Sequence, residues 1–73
     1  MNKKREKFVE LAEARVEKTL KDIQLIGNLS NKAAYEYSEE DVKKIFAALQ
    51  QALNLSKSRF NTELEVKEGV FKL

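Results

Sequence analysis

Between residues 3 and 26 the apolar positions return at helical spacing: Val9, Ala12, Val16, Leu20 and Ile23. On a wheel turning 100° per residue these five fall within about 80° of one another, with Phe8 and Ile26 at the flank. Glu10, Glu17, Lys21 and Gln24 occupy the opposite side, which reads as a solvated face, and Glu17 precedes Lys21 by four residues in the favourable order. Gly27 follows directly and is expected in the left-handed position just past a helix end. The pattern predicts a helix over 3–26.

A second helix is predicted over 38–60. Ser38 is placed as its N-cap, with Asp41 three residues on where a capping box wants an acid. Glu39, Glu40 and Asp41 set three negative charges against the positive end of the helix dipole. Tyr37 and Val42 have the spacing of a hydrophobic staple, and Glu39–Lys43 and Glu40–Lys44 are ordered i,i+4 pairs. Val42, Ile45, Phe46, Leu49, Ala52, Leu53, Ser56 and Phe60 trace the face expected to be buried. The loop between, 27–37, is long for a helical hairpin, and Ser30 is placed to cap a short turn through Ala33 and Ala34. Residues 61–73 change character: Leu64 and Val66 alternate with charges, Glu68-Gly69 allows a turn, and 70–73 are mostly apolar. The expectation there is a flexible or partner-ordered tail, extended or β-like.

Two helices of matched length joined by one connection predict an all-α antiparallel hairpin. One feature carries the expectation further. With Ala48 at its edge, the second helix offers apolar side chains over about 160° of its circumference, more than one neighbour covers. A chain this short also draws only about 3–5 kcal/mol from a single core. The hairpin is therefore expected to dimerise into a four-helix bundle, or to assemble further, through Val9, Val16, Leu20, Ile23, Val42, Ile45, Phe46, Leu49, Leu53 and Phe60.

Composition narrows the chemistry. The 73 residues hold no histidine and no cysteine, which removes Ser–His and Cys–His nucleophile pairs, disulfides and the usual zinc and haem ligand sets. No catalytic residue, cofactor, metal or small-molecule substrate is expected. Fourteen basic against 12 acidic residues leave a net charge of only +2, a well-solvated surface and not a polycation. Aromatic residues make up 8%, too few for a base-stacking sheet. No apolar run approaches the ~20 residues of a membrane span, and the basic start leads into an amphipathic, acid-bearing stretch and not an apolar signal core. A cytoplasmic protein with no membrane role is expected.

Three clusters stand out, each with a plain structural alternative. Lys3, Lys4, Arg5 and Lys7 open the first helix, and an antiparallel hairpin would bring Lys57 and Arg59 to the same tip. Together they are a candidate phosphate-contacting patch. Lys57 and Arg59 also suit a helix C-terminus electrostatically, whereas lysines at a helix start oppose its dipole. Glu36, Glu39, Glu40 and Asp41 form an acidic knot that helix capping explains better than metal binding. Asn28, Asn31, Tyr35 and Tyr37, in the long loop, are candidate partner-binding residues whose plain alternative is to close the hairpin and cap helix ends. Leu11, Ala14 and Leu25 share the far side of the first helix as a candidate second contact surface.

One stretch carries a resemblance. Ile23, Leu25, Ile26, Gly27, Asn28, Leu29, Ser30 and Asn31, continued by Tyr35, Glu36, Tyr37, Ser38, Glu40, Asp41, Val42, Lys44, Ile45 and Phe46, resemble a small bacterial family of short, charged, two-helix proteins. Its signature runs IxLIGNLSN, then YEY, Ser or Thr, x, EDVxKIF. The likeness covers roughly residues 7–60 and implies a bacterial, phage or plasmid source, with no activity attached. The expected architecture is also similar in shape to Rop-like helical hairpins, RNA-binding dimers of plasmids, but shape does not license function. The expected function is a homo-oligomeric protein-interaction module, with a nucleic-acid-binding regulator as the alternative.

Overall fold

The computed structural model describes residues 2–67, with side-chain surroundings for residues 2–64. Among them the chain is all-α: helix α1 (Lys3–Gly27), a 3-10 turn (Asn28–Ser30) and helix α2 (Glu39–Lys67), with no strand. It divides into two units, Met1–Glu36 and Tyr37–Leu73. Each is taken by itself.

Asn2 caps α1 from extended backbone, φ −78° and ψ 125°. Its Oδ1 accepts from the backbone N–H of Lys4 at 2.7 Å and of Arg5 at 3.3 Å, satisfying two of the four donors that a helix start leaves open. At the far end the structure departs from the sequence reading. Gly27 is right-handed, φ −60° and ψ −32°, and Asn28 still donates to the Gln24 carbonyl. Glycine permits the left-handed region without requiring it, and here the backbone tightens through Asn28–Ser30 before leaving the helix at Asn31 (ψ 101°). Ser30 lies inside that turn. Asn31 organises the next one: its Oδ1 accepts from Ala33 N–H at 3.0 Å, and its carbonyl accepts from Ala34 at 3.1 Å and Tyr35 at 3.0 Å. As the first non-helical residue after the turn, it has the backbone freedom an Asx turn needs.

In the second unit the capping box of α2 is closed in both directions. Ser38 Oγ accepts from Asp41 N–H at 3.1 Å, and Asp41 Oδ2 accepts from Ser38 N–H at 2.9 Å. The shorter aspartate reaches as far as the box demands. Tyr37 and Val42, at staple spacing, are both half-buried.

Helix α2 runs to Lys67, one to two turns beyond the expected end near residue 60. Residues 61–67 are helix, not an extended or β-like tail. The cause lies in what was absent: no proline or glycine interrupts 61–67, and Leu64 sits four residues after Phe60, extending the apolar stripe by another turn. Thr62 Oγ1 donates back to the Ser58 carbonyl at 3.0 Å, which keeps its hydroxyl satisfied inside the helix. The turn expected at Glu68-Gly69 and the segment 70–73 lie outside the described residues.

Candidate interaction surfaces

The apolar stripes lie where the periodicity places them, but no described residue is buried. On α1, Val9 and Ala12 are half-buried by their own helical neighbours, while Val16 and Leu20 are more than half exposed and Ile23 is 39% exposed. On α2, Val42 and Leu49 are half-buried, and Ile45, Phe46, Leu53, Phe60 and Leu64 are exposed to between 40% and 60%. All ten residues named for an oligomer interface thus share the stripe of their own helix and remain open to water. Leu64 belongs with them. Its alternation with charges suggested a strand, yet its spacing of four from Phe60 was the signal that could have found it.

Glu10 and Glu17 lie beside the α1 stripe and not opposite it, on a flank that holds a further feature. Glu6, Glu10, Glu13 and Glu17 fall within about 60° of one another on the wheel, along an open groove edged by Arg5, Val9 and Ala14. Glu17 Oε1 lies 3.5 Å from Lys21 Nζ, as ordered i,i+4 spacing expects. On a different line Lys18 Nζ meets Asp22 Oδ2 at 2.8 Å. That hydrogen bond, helped by the carboxylate charge, holds the Lys18 ammonium above its usual pKa.

The loop candidates divide between the two units. Asn28, Asn31 and Tyr35 belong to the first, and Tyr37 opens the second. Asn28 closes α1 through its backbone, Asn31 is occupied by its own turn, and Tyr35 is half exposed. Two of the four thus make local bonds, Asn28 at the end of α1 and Asn31 in the turn that follows.

The basic candidates divide likewise. Lys3, Lys4, Arg5 and Lys7 are exposed over the first turns of α1, and the Arg5 guanidinium stands 5.7 Å from the centroid of Phe8, within cation–π range. Lys57 and Arg59 are exposed on α2, where Arg59 borders a shallow groove with Ser56, Phe60 and Glu63. In the acidic knot Asp41 is committed to the cap: the N–H of Ser38, then its side chain, hold the carboxyl below the ordinary carboxylate range. Among the described residues no group of three or more carboxylates is placed to hold a metal ion, and no helix is long and apolar enough to cross a membrane.

Comparison with family models, curated proteins and solved structures finds no match for the chain.

Proposed function

We propose that the chain is a homo-oligomeric, non-enzymatic helical module whose work is binding. In this reading α1 and α2 pack as an antiparallel hairpin, two hairpins pair into a four-helix bundle, and the assembled scaffold presents residues 28–37 and the C-terminal segment to another protein. One observation carries it. Among the described residues nothing is buried, yet two long helices hold Val16, Leu20, Ile23, Ile45, Phe46, Leu53, Phe60 and Leu64 exposed on continuous stripes. Apolar surface of that extent gains about 25 cal/mol for each Å² removed from water, and contiguous patches of it mark contact surfaces. The resemblance of residues 23–46 to a small bacterial family implies a bacterial, phage or plasmid setting.

Light scattering across a dilution series, run beside circular dichroism, tests the reading. Dimers or larger assemblies with a melting temperature that rises with concentration are expected. A helical, cooperatively folding single copy at every concentration overturns it.

A second reading rests on the start of α1. Lys3, Lys4 and Arg5 sit at the positive pole of that helix, where its dipole disfavours them, so helix electrostatics do not account for the cluster. In the proposed hairpin Lys57 and Arg59 join it, giving a salt-sensitive surface for nucleic-acid phosphates. Binding to unrelated RNA or DNA that weakens steeply with salt, and vanishes when the six bases are neutralised, would favour this regulator. A salt-insensitive protein complex lost with Tyr35→Ala or Asn31→Ala favours the first reading.

A further inference from the structure

The stripe on α2 carries an internal symmetry that helix formation alone does not demand. Val42, Phe46, Leu49, Leu53, Ser56 and Phe60 follow one another at spacings of four, three, four, three and four, the seam of a heptad pattern. All six lie on the one helix. Its largest members are Phe46 and Phe60, and its one small polar member is Ser56.

Reversed about Gln51, the row matches itself. Val42 meets Phe60, Phe46 meets Ser56, and Leu49 meets Leu53, each pair large with small or medium with medium. A parallel, in-register pairing would instead stack Phe46 on Phe46 and Phe60 on Phe60, overfilling two layers, and set Ser56 against Ser56, leaving one thin and polar. Shifting the antiparallel register by one heptad in one direction sets Ser56 against Glu39 and carries Phe60 beyond the start of α2. The shift in the other direction sets Phe46 against Glu63. Only the centred register uses all six positions, over about 27 Å of helix at 1.5 Å per residue.

We infer that the partner of this seam is α2 of a second copy, antiparallel and centred on Gln51, with each Phe46 seated over the Ser56 of the other chain. This rests on the self-association proposed above and gives it an orientation and a register. Charge supports it on one edge, where Asp41 of one copy comes within an axial offset of about 3 Å of Arg59 of the other, twice by symmetry. The opposite edge brings Lys57 alongside Lys43, both at the rim, where their long stems reach water. Ile45, Ala48 and Ala52 stay on the uncovered margin of the stripe, available to a further helix.

Cysteine cross-linking tests the register without background, since the chain has no cysteine of its own. The native chain is sized first, and a single copy in solution overturns both the self-association and this seam. Given an assembly, the doubly substituted chain Phe46→Cys, Ser56→Cys should convert on oxidation mainly to covalent dimer. Residues ten apart on one helix are about 15 Å apart, too far for an internal disulfide. Neither Phe46→Cys nor Ser56→Cys alone should cross-link appreciably. Dimers from the single variants, or none from the double variant while it still assembles, overturn the register and leave self-association standing. A second measurement avoids the seam altogether: nitroxide labels on Glu40→Cys should report about 33 Å along the axis between copies, and a distance near the interhelical spacing of about 8–10 Å plus the label arms means a parallel pair.

Discussion

Helices α1 and α2 start on the same kind of cap and carry opposite charge into the first turn. Asn2 satisfies the donors of Lys4 and Arg5, and Ser38 satisfies that of Asp41. Beyond the cap, α1 continues with lysine, lysine and arginine against its own dipole, while α2 continues with two glutamates and an aspartate that suit it. Their apolar faces differ too, about 120° wide on α1 with Phe8 and Ile26 at its flank and about 160° on α2 with Ala48 at its edge. Helix α2 is thus well started and broadly greasy, and α1 is poorly started and narrowly so. Stability of the ends is a local property of each helix, whereas the faces need something beyond their own helix to cover them.

The largest break in this comparison should come from a charge set into the broader face. Leu49→Asp is expected to dissociate and unfold the protein together, losing about 3 kcal/mol or more of stability per chain. Val16→Asp, on the narrower face, should cost less. Light scattering beside circular dichroism reads both, and a folded, assembled Leu49→Asp variant would contradict the oligomer. Next come the caps. Ser38→Ala should cost roughly 1 kcal/mol, as the loss of a good N-cap does, read as a lower melting temperature.

Smaller still is the effect of first-turn charge, which sharpens the contrast because its sign should reverse between helices. Lys3→Glu with Lys4→Glu should raise thermal stability by a few tenths of a kcal/mol per site, and Glu39→Lys with Glu40→Lys should lower it by a similar amount. Equal signs would refute the dipole account of the two starts.

The titrations give the gentlest test. The Asp41 carboxyl is depressed by Ser38, so its contribution is present above the ordinary carboxylate pKa and disappears as pH falls through the lower folded value. Helix α1, capped by an amide, has no counterpart to this. The Lys18 ammonium is raised by Asp22, so its contribution is complete below the ordinary lysine range and disappears as pH rises through the higher folded value. Both groups are exposed, and molar salt should erase most of the Lys18 effect. Carboxyl and side-chain NMR shifts followed against pH check each direction.

The sequence made the two helices and the second N-cap legible because each rests on residues three or four apart, a range over which local chemistry decides. Ser38 and Asp41 form the box their spacing implied. The end of α2 was less legible, since Leu64 and Val66 alternate with charges as a strand would while Leu64 also continues a helical stripe. Without glycine or proline to arbitrate, helix continuation prevailed. Asn2 is hard to read as a cap because the bases that follow it suggest a solubilising start. Gly27 reads as a stop signal and α1 does end there, but in right-handed backbone, with a 3-10 turn carrying the chain on to Asn31. For the candidate surfaces the stripes could be read residue by residue. What covers them depends on a second helix or a second chain, which no window of one helix encodes except through an internal symmetry such as the one about Gln51.

Gly27 has a consequence of its own. Its backbone is right-handed, and a methyl group built there would meet nothing within 4 Å. Nothing in its first unit therefore requires a residue without a side chain at the junction between α1 and the 3-10 turn. Gly27→Ala should tether the unfolded chain more tightly and add about 0.4–1 kcal/mol of stability. The join is thus a ready adjustment screw, one that an engineer can tighten without touching either greasy face.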